Sequence, residues 1–275
     1  VQHGNACYIK SPNGRHIVID LGTGDYSGRN ISFSPLMHLW KNYHINQLDY
    51  VVVTHPHRDH IDDILNLRHF NPNIFVRPIQ LSNSEVMTGV QINDVPKFEE
   101  YCRLNRIYNK SINEAGMSFD IKKYFGGMSV IHFCPSSCPH NNVNNHSILT
   151  VIEYATVKIV IPGDNEACSL NELMGSLTFL RTVMNADILL APHHGRQSGF
   201  HVDFVKFVNP RLCIVSDGNI CDTSANHRYS QISRGYPVFK KSTRQLINRK
   251  CLTTNSDGEV FISFGLNNQL RVSIS

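Results

Sequence analysis

The densest chemistry in this chain lies in seven consecutive residues, Thr54-His55-Pro56-His57-Arg58-Asp59-His60. They directly follow the apolar run Tyr50-Val51-Val52-Val53. Packing does not explain four metal-ligand side chains within six residues at the end of a strand. A loop there can turn His55 and His57 onto one cation while Asp59 and His60 reach a second. Imidazole and carboxylate donors suit zinc, manganese or iron. Asp164 follows Gly163 just past the apolar run Val157–Ile161, where a carboxylate can bridge two cations. His193 and His194 close another apolar run ahead of Gly195. Adjacent side chains point in different directions, so one of the pair is expected to bind metal or substrate and the other to support it. His227 is a candidate last ligand or a donor to a leaving group.

These residues need a rigid frame. Val- and Ile-rich runs bounded by Gly, Pro, Asn or Asp predict strands at His16–Leu21, Tyr50–Thr54, Ile74–Val76, Val130–Phe133, Ile148–Tyr154, Val157–Ile161, Ile188–Ala191, Leu212–Val215, Val260–Phe264 and Leu270–Ile274. Between them, Asp94 with Pro96 opens a helix carrying Phe98, Tyr101, Cys102 and Tyr108 on one side. Ser169 and Glu172 form a capping-box pattern ahead of Leu173, Met174, Leu177, Leu180 and Met184. A further helix is expected after His60, through Ile61, Ile64, Leu65 and Leu67. Strands, then strands interleaved with helices, then strands again predict an α/β sandwich of two sheets with helices outside. The expectation is one domain over 1–275, with an inserted helical segment at about 80–118 where strand signals are poorest.

Bulk properties narrow the class. With 41% hydrophobic and 17% charged residues the chain is globular, not disordered. No apolar run approaches the 18 or so residues of a membrane-spanning helix. The chain starts at Val1 without an initiator methionine or a signal-peptide pattern, so it is expected to begin within a longer protein or after processing. Charge is uneven. From Arg196 to Lys250 stand ten basic residues against the three acids Asp203, Asp217 and Asp222, which suits a polyanionic partner or a solvated positive face. Among the basic residues Arg196, Lys240 and Lys241 are candidate phosphate contacts. The eight cysteines are scattered, and buried reduced thiols are the expectation. Cys134, Cys138 and His140 lie close together, but no second half follows at zinc spacing. Free thiols and the missing signal favour a cytoplasmic location.

The H-x-H-x-D-H pattern after a hydrophobic strand resembles the hallmark of the metallo-β-lactamase fold, a four-layer αββα sandwich. Further segments resemble the hydrolase domain of the DNA-uptake competence protein ComEC. They are Ser11-Pro12-Asn13-Gly14 with His16–Asp20, Asn145-His146-Ser147-Ile148-Leu149, Gly163-Asp164-Asn165-Glu166, Ala191-Pro192-His193-His194-Gly195, Ser216-Asp217-Gly218-Asn219 with His227, and Thr254–Val260. The opening Val1-Gln2-His3-Gly4-Asn5-Ala6 fits the same pattern. The resemblance covers essentially the whole chain, in order. It implies that Asp164 bridges the cations and that Asp20 supports the metal loop from behind. This chain departs by having His57 where that family often has Asp, and Ile61-Asp62-Asp63 where it usually has I-G-G. The acidic pair suits a helix start and could also turn away a bulky anion. The third ligand of the first cation is not obvious; His146 and His140 are candidates.

The implied activity is two-metal phosphodiester hydrolysis with zinc or manganese, Asp59 and Asp164 in the catalytic set, and DNA as the expected substrate. Water activated between the cations attacks phosphorus, and His227 or a basic residue stabilises the leaving oxygen. A small-molecule phosphodiesterase or ester hydrolase would use the same site. A metal-free binding module would require the His55–His60 loop to be vestigial.

Overall fold

Branched apolar residues favour extended backbone, and the runs that carry them pair into sheets. The computed structural model describes residues 1, 4–25, 30–109, 120–218, 224–266 and 269–275. Its first sheet has the order β1-β2-β3-β4, from Cys7–Lys10, His16–Ile19, Tyr50–Val52 and Ile74–Val76. Along the chain follow β5 (Ser129–Phe133), β6 (Leu149–Tyr154), β7 (Val157–Ile161), β8 (Ile188–Leu190), β9 (Leu212–Val215), β10 (Tyr236–Lys240), β11 (Gln245–Arg249), β12 (Cys251–Thr253), β13 (Val260–Ser263) and β14 (Arg271–Ile274). The second sheet runs β12-β9-β8-β7-β6-β5 and the third β11-β10-β14-β13. β2, β3 and β4 are parallel to one another, as are β7, β8, β9 and β12.

Alternation along the strands builds the layers. Ile17, Ile19, Tyr50 and Val52 of the first sheet share one buried core with Ile152, Ile159, Ile161 and Ile188 of the second. Val238, Val272 and Ile274 of the third sheet join it. The opposite face of the first sheet, through Val18, Val51 and Val53, packs on Leu36, Leu39, Phe98 and Tyr101, from helices Pro35–Tyr43 and Val95–Ile107. The opposite face of the second, through Val151, Val160, Leu189 and Cys213, packs on Leu170, Phe179 and Phe204, from helices Ala167–Met174, Leu177–Val183 and Val202–Val208. The order is helix, sheet, sheet, helix, the expected four-layer sandwich.

All ten expected strands are present with ends shifted by one or two residues, while β1, β10, β11 and β12 were not foreseen. β10 and β11 expose Pro237, Phe239, Leu246 and Asn248 and lack a buried run; β12 has three residues. The helix after His60 splits into Arg58–Ile61 and a 3-10 turn at Ile64–His69. The capping box also differs from the sequence reading. Glu166 is the N-cap and Ser169 its partner, while Glu172 accepts the backbone N–H groups of Ser136 and Ser137. Gly175 ends that helix, and Ser176 caps a second one at Leu177–Val183. In the segment at 80–118, helices Asn83–Met87 and Val95–Ile107 build Val86, Phe98 and Leu104 into the core; residues 110–119 lie outside the described residues, as do His3, Asn219 and Cys221.

One expectation about the thiols fails. Cys138 and Cys168 form a disulfide, because the loop after β5 folds back onto the helix that opens at Ala167. No zinc set forms there: Cys134 lies against Gln80, and His140 pairs with Glu85 at the surface. A disulfide belongs to oxidising surroundings, so the thiols no longer support a cytoplasmic location. The bond closes a loop of sequence separation 30, and loop-closure entropy then contributes about 3–4 kcal/mol. Cys138→Ser is expected to lower unfolding stability by about 2–4 kcal/mol, and reductant should do the same to the wild type but not to the variant, as read by denaturant titration. No helix among the described residues is long and apolar enough to cross a membrane.

Candidate metal centre

Loops at the carboxyl ends of β3, β7 and β8 meet in one place. His55, Asp59 and His60 come from the first sheet, and Asp164 and His194 from the second. The ligand atoms of Asp59, His60, Asp164 and His194 all lie within 4.8 Å of one another. His194 Nε2 is 3.0 Å from Asp59 Oδ2 and 3.3 Å from Asp164 Oδ2. His60 Nε2 is 3.3 Å from Asp164 Oδ1.

The backbone that brings them together is specific. Gly163, at φ +60°, precedes Asp164; a Cβ there would stand 2.9 Å from Thr54 Cβ and 3.0 Å from Ser147 Cβ. Only glycine lets the two sheets' loops approach so closely. Gly4 lies against the loop from the other side, where a Cβ would sit 2.1 Å from the Asp59 carbonyl oxygen.

Acceptors behind the rings fix their tautomers. His60 Nδ1 is 2.8 Å from Asp20 Oδ2, and His194 Nδ1 is 3.0 Å from the Ser216 carbonyl. A carboxylate and a carbonyl only accept, so each Nδ1 carries a proton and each Nε2 is the nitrogen turned to Asp164, free to bind a cation once its own proton is displaced. This is how proteins orient metal-binding imidazoles. Asp20 also accepts from Thr54 N–H, the Thr54 hydroxyl and the Asn5 amide. It therefore holds the loop from behind, as the sequence implied.

The donor set fits a divalent cation by an independent criterion. His55 Nε2 is fully buried and has no hydrogen-bond partner among the described residues, yet lies 3.8 Å from Asp164 Oδ2. Burial and the charge on His60 keep the His55 ring well below its usual pKa, so it stays a neutral donor. A buried lone pair aimed at a carboxylate is costly unless a cation lies between them.

Without a cation, protons carry the compensating charge. Burial opposes a charged His194, but Asp164 and Asp59 outweigh it and push its pKa up to about 10. Burial likewise opposes charge on His60, yet Asp164, Asp20 and Asp59 hold it well above its ordinary value. Burial alone would raise Asp164; the charges on His194 and His60 instead hold it well below the carboxylate range. An incoming metal must displace these protons. Metal binding is therefore expected to release protons at neutral pH and to tighten as pH rises, as measured by calorimetry in buffers of different ionisation enthalpy. In metal-free protein the sign reverses. The folded chain holds a proton on His194 that the unfolded chain loses near 6.5, so stability should fall as pH rises from there through about 10.

The other sequence candidates fall in different places. His57 stacks edge-on to His55 at a ring separation of 4.6 Å. His193 and His194 were expected to diverge, but both rings reach Asp164 Oδ2. Arg196 follows this pair after Gly195. His227 is exposed on helix Asn226–Ile232, with no ion pair or ring contact to the cluster among the described residues. Lys240 and Lys241 lie at the end of β10, on the sheet that supplies no ligand. His146 is bonded to Gln80 and Pro139, and His140 to Glu85, so neither joins the cluster. Asp62 and Asp63 are taken up structurally. Asp63 accepts from Ser34 and Leu36 N–H at the start of the helix Pro35–Tyr43, and Asp62 from Thr23 and Lys97. Glu166, which the sequence reading gave no role, pairs with His193 Nδ1 at 2.9 Å; the Gly163–Glu166 segment was its only sequence signal.

A family model described as the metallo-beta-lactamase superfamily matches residues 1–76, the stretch that contains the His55–His60 loop. Together with the layered architecture, it gives the chain the metallo-β-lactamase fold, and the donor cluster agrees with metal-dependent hydrolase chemistry. Among solved structures, similar chains include a variant of the CmlA β-hydroxylase, at TM-score 0.46 and 9% identity over 78% of this chain. This chain spans 44% of that protein's length. A candidate zinc-dependent hydrolase of the superfamily from Thermotoga maritima gives TM-score 0.42 and 11% identity, covering 92% of this chain and 95% of the other. A candidate metal-dependent hydrolase from Parabacteroides distasonis gives TM-score 0.38 and 10% identity, over 80% and 91%. A search of curated proteins finds no match.

Proposed function

We propose that this chain is a metal-dependent phosphodiester hydrolase that cleaves DNA, using two divalent cations, zinc or manganese, that share Asp164. The convergence of Asp59, His60, Asp164 and His194 within 4.8 Å carries the hydrolase reading. Bound cations would supply an acidified water and neutralise charge on the phosphate oxygens. The protein's own residues do the rest. His55 and His60, both fully buried, form a dry back wall. Asp59 is the most open of the clustered carboxylates, with a quarter of its side chain exposed against 5% for Asp164. In this reading it takes the water's proton.

DNA is supported by the resemblance to the ComEC hydrolase domain and by the basic run from Arg196 to Lys250. Arg196, beside the His193–His194 turn, is the phosphate contact nearest the cluster in sequence; Lys240 and Lys241 extend the basic surface. The test is cleavage of single- and double-stranded oligonucleotides with manganese or zinc by wild type, Asp59→Ala and Asp164→Ala. Metal-dependent cleavage by the wild type alone supports the reading. Equal cleavage by all three proteins rejects the site. Turnover of a cyclic nucleotide or nitrophenyl ester without oligonucleotide cleavage replaces DNA with a small substrate.

A further inference from the structure

The third sheet has two unlike faces. Val238, Val272 and Ile274 point into the core, so the residues that alternate with them point outward. Leu246, Phe239, Ser273 and Phe261 stand opposite one another in register and form a single outward row across all four strands. Phe239 is 39% exposed, Phe261 57% and Leu246 71%, so the row is open among the described residues. The two rings stand two strands apart, about 10 Å, with the small Ser273 between them. A contiguous apolar row held in water marks a contact surface.

The charges around the row select its partner. Lys241 continues β10 on this side, with Nζ 6.0 Å from the centre of the Phe261 ring. Arg271 is exposed on the same face of β14, and Arg244 and Lys250 are exposed just before and just after β11. Acids are few. From Tyr236 to Ser275 the chain has only Asp257 and Glu259, and Asp257 is taken up by Arg249 at 2.7 and 2.8 Å. Flat rings bordered by cations complement a polymer that offers an unpaired base and a negative charge at each step. A duplex hides its base faces from such rings. In a symmetric pair of copies this face would meet its own cations.

The face also connects to the metal loops. The Ser216 carbonyl accepts from His194 Nδ1 at 3.0 Å, and Asp217 N–H bonds Thr254 Oγ1 at 3.0 Å. The short helix Thr254–Asp257 then leads into β13, where Glu259 N–H bonds Ser275 Oγ at 3.1 Å. Lys241 N–H bonds the neighbouring Ile274 carbonyl at 3.1 Å. The Lys241 edge of the face therefore lies at the end of the fold where the metal loops gather.

We propose that the outer face of the third sheet is an exosite for single-stranded nucleic acid, in which Phe239 and Phe261 stack bases, Leu246 packs beside them, and Lys241 and Arg271 hold backbone phosphates. The strand leaves the face at its Lys241 edge, toward the metal centre. The proposal rests on the DNA reading above for its ligand and extends it to a surface that carries no metal donor.

The test is fluorescence anisotropy of a labelled oligothymidylate of about 15 nucleotides with the whole chain in chelator, which separates binding from cleavage. Phe239→Ala and Phe261→Ala should each weaken binding about 5- to 100-fold and leave Tm unchanged, because both rings are already exposed. Lys241→Gln should reduce the slope of log affinity against log salt by about 0.7. Phe239→Trp should keep the affinity, and its indole should be quenched on binding, above the background of Trp40, the one native tryptophan. Wild-type affinity in both alanine variants, or an indole in Phe239→Trp that binding leaves unquenched, overturns the proposal. So does a wild type that binds a duplex as tightly as the single strand. Phe239-dependent binding to phosphatidylserine vesicles in place of the oligonucleotide gives the face to lipid, and a dimer that Phe239→Ala splits gives it to a second copy; either overturns it. Metal-dependent cleavage without binding in chelator rejects the face and leaves the hydrolase reading standing. Binding that depends on Phe239 and Phe261, with no cleavage when metal is added, supports the face and rejects DNA hydrolysis.

Discussion

Asp164→Asn is expected to lower kcat/KM for the proposed hydrolysis on the order of 10^3-fold or more and to remove most bound metal. The carboxylate is buried and stands within 4 Å of His55, His60, His193 and His194 at once. No other described carboxylate is placed to balance that many imidazoles. Asparagine keeps the volume and withdraws the charge, so metal content and rate should fall together while the fold persists. In metal-free variant protein, His194 also loses its main reason to stay protonated, so its pKa should drop from about 10 toward the ordinary histidine value. Ring-proton NMR titration reads that shift. Retained metal with retained activity would show that the cation sits elsewhere.

The second large effect concerns stability rather than rate. Asp20→Ala removes the acceptor of four donors: Thr54 N–H, the Thr54 hydroxyl, the Asn5 amide and His60 Nδ1. Asp20 and Thr54 are fully buried, so water cannot readily replace it. Breaking a buried charged network on one side costs about 3–5 kcal/mol, roughly 10 °C in Tm for a domain of this size. Asp20 also has φ +61°, which asparagine tolerates better than alanine. Asp20→Asn should therefore recover part of the loss while still weakening metal binding. Calorimetric melts of both variants with and without chelator check this. An unchanged melt for Asp20→Ala would mean the network contributes nothing.

The sequence displayed the chemistry better than its setting. The His55–His60 loop was visible because its residue types have no packing explanation, and Asp164 because an apolar strand ends three residues earlier. The sheets were visible wherever strands are buried on both faces, as with β3, β7 and β9. β10 and β11 were not, because exposed residues alternate with buried ones and Pro237 interrupts the pattern. The behaviour of His193 could not be read either. Adjacent side chains diverge on ordinary backbone, and only the left-handed conformation at both histidines turns the rings toward one atom. Nor does residue identity show that Cys138 would meet Cys168, since that contact depends on how the loop after β5 returns to the helix opening at Ala167.

The donors at this centre come from two sheets: His55, Asp59 and His60 follow β3, and Asp164 and His194 follow β7 and β8. An ion seated among them works as a rivet through the middle of the sandwich. Any sliding of one layer across the other pulls its donors apart, so grip on the ion depends on interdigitated side chains such as Ile19 and Ile161 that never touch it. On gradual warming the ion should therefore leave, and activity vanish, before the strands themselves come apart.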